Sequence, residues 1–129
     1  MNNFYIGEQE EVYTKVYIDG LDFLQKLPGR CASLAFYLAN RVSDAGDTYG
    51  MCILITQDTK KAFCKDLGWG SISSFNHALT QCVKYHVLYR IDKCFYRLNP
   101  YLFGNGQWED IVKLREEIND PLFEGMGNE

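Results

Sequence analysis

Apolar residues recur along this chain with two different periods, and the switches between them divide it into short elements. Val12–Ile18 (VYTKVYI) is β-branched and aromatic with polar positions inside, which suits a strand. From Asp22 to Val42, Phe23, Leu24 and Leu27 precede a Pro28-Gly29 interruption, and Leu34, Leu38 and Val42 follow at spacings of four. This predicts a short helix or helical turn, then a helix over about Arg30–Val42 that ends at the Asp44–Asp47 turn. Met51–Ile55 is an apolar run that fits a short strand.

Between Thr56 and Leu88 the period is helical. Asp58 or Thr59 can cap a helix with Ala62, Phe63 and Leu67 on its apolar face, and Gly68 stands where the chain must leave it. Ser71 or Ser73 can cap a second helix whose apolar positions are Ile72, Phe75, Leu79, Cys82 and Val83. Two short helices across a glycine-bearing turn make a helix-turn-helix, and Cys64 supplies the small residue that lets them approach. Tyr89–Leu98 (YRIDKCFYRL) then reads as a hairpin turning at Asp92-Lys93, with Ile91 opposite Cys94, Arg90 opposite Phe95 and Tyr89 opposite Tyr96. Alternation buries Val87, Tyr89, Ile91, Cys94, Tyr96 and Leu98 and leaves Leu88, Arg90, Phe95 and Arg97 on the outer face. Asp-Lys is a weak pair for a two-residue turn, so a bulge can shift this pairing by one. The fold class expected is α+β: a single winged helix-turn-helix domain over 1–129, with an N-terminal strand, a C-terminal helix, and tails at about 1–10 and 120–129.

Composition narrows the class. The chain has 129 residues, 47% of them hydrophobic and 15% aromatic, with three prolines, which describes one packed domain. No window approaches the length of a membrane span and no leader pattern opens the chain, so a soluble cytoplasmic protein with no membrane partner is expected. Five cysteines, none nearer another than twelve positions, suggest neither a disulfide framework nor a metal knuckle. They are expected to be reduced thiols acting as small hydrophobes. The net charge is −4, but it is unevenly spread: −3 over residues 1–55, +4 over 56–100 and −5 over 101–129. Only the middle third is basic.

That third holds the candidate chemistry. Ser73, Asn76, His77, Thr80 and Lys84 recur at helical spacing on the second helix, presenting hydroxyls, an amide and an imidazole that reach base edges in a major groove. Ser73, Asn76, His77 and Thr80 are the candidate base readers, with Asn76 suited to a bidentate contact with adenine; an ordinary solvated face is the alternative. Lys60, Lys61, Lys65, Lys84, Arg90, Lys93 and Arg97 are the cations available to the phosphate backbone. If about four of them contact phosphate, the log–log salt slope is about −3.6. His86 stands where a left-handed residue commonly separates such a helix from its hairpin, and His is among the residues that tolerate positive φ. No dinucleotide, phosphate-loop, nucleophile-elbow or zinc-protease motif is present, and the two histidines have no ligand-spaced companions. No enzyme activity, cofactor, metal or small-molecule substrate is expected.

After the hairpin, NPYLFGNGQWEDIVKLR (Asn99–Arg115) is the least generic run. Pro100 ends the ladder, Tyr101–Phe103 fold back over the core, Gly104–Gly106 turn, and Gln107–Ile118 forms a helix with Trp108, Ile111, Leu114 and Ile118 as its stripe. YRLNPYLFGNGQWEDIVKLR, preceded by a helix-turn-helix and opened by VYTKVYI, resembles the RepL-type replication proteins of plasmids from Gram-positive bacteria and their relatives. The resemblance covers roughly Tyr13–Arg115. It implies a winged-helix fold and sequence-specific binding of double-stranded DNA in plasmid or phage replication initiation or its control. The chain departs from that family in its acidic ends and in a lysine-rich stretch reduced to Lys84. Two other functions fit the same elements, a winged-helix transcriptional regulator and a winged-helix protein-interaction module. Self-association as a homodimer, burying the first strand and last helix, is left open.

Overall fold

The computed structural model describes residues 14–123. It is a mixed α+β arrangement of five α-helices and two small antiparallel sheets. The order is β1 (Lys15–Val16), α1 (Ile18–Gln25), α2 (Cys31–Ala39), β2 (Cys52–Leu54), α3 (Gln57–Leu67), α4 (Ile72–Lys84), β3 (Leu88–Arg90), β4 (Phe95–Leu98), β5 (Phe103–Gly104), α5 (Trp108–Ile118) and a 3₁₀ turn, Pro121–Phe123. The three-stranded sheet has the order β2-β4-β3, and β1 pairs with β5 in a separate ribbon.

The expected opening strand is shorter than its composition suggests. Its first residues lie outside the described residues, and Ile18 already begins α1, because the Tyr17 carbonyl accepts from the Gly20 and Leu21 amides. Tyr17 itself donates to the Leu102 carbonyl at 3.0 Å, which holds the end of β1 against the run leading into β5. The α1–α2 corner forms at Pro28-Gly29 as the sequence predicts, with Gly29 at φ 59°.

Helices α2 and α4 form the centre. Leu34, Ala35 and Leu38 of α2 and Phe75, Ala78, Leu79 and Cys82 of α4 are buried together with Leu88, Leu98, Leu102 and Phe103. Each large apolar side chain here contributes about 1.5–3 kcal/mol by leaving water. Aromatic contacts extend this core to α3, with Phe63 packed between Tyr37 (5.3 Å) and Phe75 (6.0 Å).

Three expectations need correction. The α3 cap is Thr56, not Asp58 or Thr59: its hydroxyl accepts from the Thr59 amide, and the Thr59 hydroxyl accepts from the Thr56 amide at 2.7 Å, a reciprocal capping box. The hairpin register is offset by one, with Leu88 opposite Leu98, Tyr89 opposite Arg97 and Arg90 opposite Tyr96. The turn causes this: Asp92 and Lys93 do not make a two-residue connection, and Ile91–Cys94 form a wider loop in which the Phe95 amide donates to the Asp92 carbonyl. The slip exchanges faces on β3, so Leu88 joins Tyr96 and Leu98 on the buried face and Ile91 is exposed, while Arg97 stays on the opposite face beside Tyr89 and is buried there by other segments. Finally, the C-terminal tail does not begin at 120. Asp120 and Phe123 are buried, and Phe123 stacks on Tyr101 at 5.6 Å and meets Phe23 edge-on at 5.1 Å. The remainder of both expected tails lies outside the described residues.

Candidate nucleic-acid interface

Helix α4 starts where Ser71 accepts from the Ser74 amide at 3.2 Å. Its inward positions Phe75, Ala78, Leu79 and Cys82 are buried, while Ser73, Asn76, His77, Thr80 and Lys84 are exposed along the opposite face. All four candidate base readers therefore share one solvent-facing stripe with Lys84 at its end. Val83, expected in the apolar stripe, is 38% exposed at the edge of that face.

The end of α4 is fixed by a left-handed residue. His86 has φ 64°, the Val87 amide donates to the Cys82 carbonyl at 2.8 Å, and the His86 amide donates to that of Val83 at 3.2 Å. This is the paired bonding of a Schellman cap with His in the place usually held by glycine. A polar cluster compensates for the conformation. His86 Nδ1 lies 2.6 Å from Asp120 Oδ2, the Tyr89 hydroxyl donates to the same oxygen at 2.7 Å, and Asn99 Nδ2 donates to the His86 carbonyl at 2.7 Å. Asn99 is fully buried, and its Oδ1 accepts from the Tyr101 amide at 2.8 Å. The end of α4, the base of the hairpin and the segment after α5 thus meet at one point.

Burial alone would raise the Asp120 carboxyl, but hydrogen bonds from Tyr89, His86 and the Leu122 amide, with the charge of His86, hold it below the ordinary carboxylate range. A depressed folded-state pKa contributes stability that is present above the unfolded value and is lost as pH falls through the folded one. The chain should therefore lose stability as pH drops below about 4, and Asp120→Asn should lower stability at neutral pH while flattening that acid limb. Urea midpoints measured from pH 7 down to pH 3 check this; an unchanged acid limb in the variant would exclude Asp120 as its source. Burial and Asp120 together push the Tyr89 phenol far above its ordinary value.

The candidate backbone contacts separate into groups. Lys61 and Lys65 are exposed and Lys60 half-buried on α3; Arg90 and Lys93 are exposed at the hairpin tip. Arg90 Nη2 donates to the Lys93 carbonyl at 2.7 Å and its guanidinium lies over the Tyr96 ring, so the tip presents its cations from a braced loop. Arg97 does not belong with them. It is 7% exposed, its Nε donates to the Gly50 carbonyl at 2.8 Å and its Nη1 to Glu117 at 3.2 Å. It keeps the face opposite Tyr96 and Leu98, but the Gly50 carbonyl and Glu117 meet that face and enclose it, tying β4 to the loop before β2 and to α5.

Sequence reasoning did not find the groove between the hairpin and the end of α5, a cavity of about 660 Å³ lined by Val83, Tyr89, Arg90, Ile91, Glu117 and Pro121. Among the described residues no group of three His, Cys, Asp or Glu side chains is placed to hold a metal, and no helix is long and apolar enough to cross a membrane. No protein family, curated protein or solved structure matches the chain.

Proposed function

We propose that this chain is a winged-helix protein that binds double-stranded DNA sequence-specifically through the outer face of α4, in the initiation of plasmid or phage replication or its control. The observation that carries the reading is the solvent-facing stripe Ser73, Asn76, His77, Thr80 and Lys84 on a helix capped rigidly into a hairpin. The order α2, β2, α3, α4, β3, β4 with the sheet order β2-β4-β3 supports it, since a major groove admits such a helix while the hairpin reaches the adjacent backbone. Lys60, Lys61, Lys65, Lys84, Arg90 and Lys93 supply phosphate contacts.

Selection of bound sequences from a random duplex pool, followed by titration at several salt concentrations, tests the proposal. The winner should bind with a salt slope of about −3.6. Asn76→Ala should relax discrimination at one base pair by about 1–3 kcal/mol, and Arg90→Ala should weaken all sequences alike and reduce the slope by about 1. A winner that maps within a replication origin supports the replication role; one within a promoter supports a transcriptional regulator of the same fold.

A second reading is a winged helix that binds a protein instead. The withdrawal of Arg97 favours it, because the hairpin then offers only Arg90 and Lys93 from a chain of net charge −4. Affinity for duplex DNA unchanged in both variants would support this reading over the first.

A further inference from the structure

Cys31 and Cys82 sit on different helices and both are fully buried, yet their sulfurs are 3.3 Å apart. The Cys82 sulfur also lies 3.4 Å from the Cys31 carbonyl oxygen. A disulfide holds its sulfurs at about 2.05 Å, so the pair is within about 1.2 Å of bonding.

The two thiols are not equivalent. Cys31 is the first residue of α2, where the helix dipole favours a thiolate. The contact with Cys82 outweighs burial and holds the Cys31 thiol below its ordinary value, while the same contact and burial push Cys82 up. One member of the pair is thus the nucleophile and the other its proton-bearing neighbour.

Access comes through the corner before α2. Gly29 and Arg30 are exposed. Gln81 Oε1, one residue from Cys82, is buried with no hydrogen-bond partner among the described residues, and a Cβ on Gly29 would lie 3.1 Å from it. Loosening the corner hydrates that oxygen, which offsets part of the cost of exposing the sulfurs.

We propose that Cys31 and Cys82 are a reversible disulfide-forming site, oxidised by hydrogen peroxide, that ties α4 to the start of α2. The Cys31 thiolate attacks one peroxide oxygen, the O–O bond breaks, and the departing hydroxide takes a proton to leave as water, giving a sulfenic acid. The Cys82 sulfur then attacks the Cys31 sulfur. The S–O bond breaks as the S–S bond forms, and the released hydroxide takes the Cys82 proton to leave as a second water. Two thiols are oxidised by two electrons in all, and one peroxide is reduced. A dithiol reductant reverses the bond by thiol–disulfide exchange. None of this depends on what α4 binds.

The test uses the full chain, treated with a small excess of hydrogen peroxide, quenched by alkylation and digested without reductant. The expected result is a linked pair of peptides carrying Cys31 and Cys82, lighter by a pair of hydrogens, and a melting temperature raised by about 10 °C that returns with dithiothreitol. Cys94 is the only one of the five thiols that is not buried. Oxidation governed by exposure alone would appear there first, and peroxide products confined to Cys94 with Cys31 and Cys82 unlinked would overturn the proposal. Repeating the map on Cys94→Ser, outside the core, removes the competing thiol; absence of the linked peptides there counts equally against the site.

Discussion

Replacing Asn99 by Ala should lower the stability of the chain by about 3 kcal/mol and its melting temperature by about 10 °C, a large effect for a side chain remote from any proposed contact. The side chain is fully buried and serves three groups: the His86 carbonyl, the Tyr89 hydroxyl at 3.1 Å and the Tyr101 amide. Alanine leaves the carbonyl and the amide without that partner in a fully buried site, so the cost is the desolvation of both groups and not only the hydrogen bonds themselves. The loss should extend beyond Asn99, because the His86 carbonyl belongs to the left-handed residue that closes α4. Asn99→Asp serves as a control: it keeps an acceptor for the Tyr101 amide but sets a carboxylate oxygen against the His86 carbonyl, and it should be at least as unstable as the alanine variant. Urea denaturation with thermal melting measures both. A loss under about 1 kcal/mol in either variant would show that the cluster does not hold the helix end.

Arg97→Ala should cost about 2–3 kcal/mol of stability and leave the salt slope of DNA binding unchanged. The guanidinium is enclosed and its two identified bonds go to the Gly50 carbonyl and to Glu117. Glu117 is 62% exposed and regains water when its partner is removed, so the larger share of the cost is the Gly50 carbonyl and the packing of the side-chain stem. Arg97→Met keeps much of that stem and should recover about half of the loss. Arg90→Ala should show the reverse behaviour, little change in melting and a shallower salt slope. If Arg97→Ala lowered the slope at a temperature where it is fully folded, Arg97 would have to reach the phosphates by leaving its site.

The contrast between these two arginines marks where the sequence is legible. Alternation along YRIDKCFYRL fixes that two faces exist; which residue lies on which depends on the turn, and the turn is set by the poor fit of Asp92-Lys93 to a tight connection. Slippage by one residue moved Leu88 into the core, whereas Arg97 kept its face and is buried because Gly50 and, from α5, Glu117 meet it there, a pairing of distant segments. Helices α3 and α4 were readable because their signals are local: a hydroxyl cap at Ser71, a glycine at position 68, apolar residues at helical spacing. Even there the cap of α3 was misplaced, since Thr59 is half of a box whose other half precedes it. His86 was also readable, because a left-handed position after a helix needs either glycine or a residue that tolerates it.

What local pattern does not carry is pairing between distant segments. Asp120 reads as a tail residue until it is seen beneath His86 and Tyr89, and nothing in VYTKVYI names Phe103 and Gly104 as its partners. Of the proposed interface, the α4 stripe came from periodicity alone, and the division of cations into braced tip, α3 surface and buried clamp came from tertiary contacts.

The ribbon of β1 and β5 has a consequence in time. Lys15 faces Gly104 and Val16 faces Phe103 across it, and the Tyr17 amide reaches the Leu102 carbonyl beside it, so a short ribbon closes most of the described chain. Closing so long a loop is entropically costly and slow, whereas α2, α4 and the hairpin lie closer together along the sequence. The ribbon should form after the helical core and open before it, making β1 the first part of the fold to exchange its amide hydrogens. A chain emerging from the ribosome holds its first strand unpaired until the segment carrying Phe103 has been made.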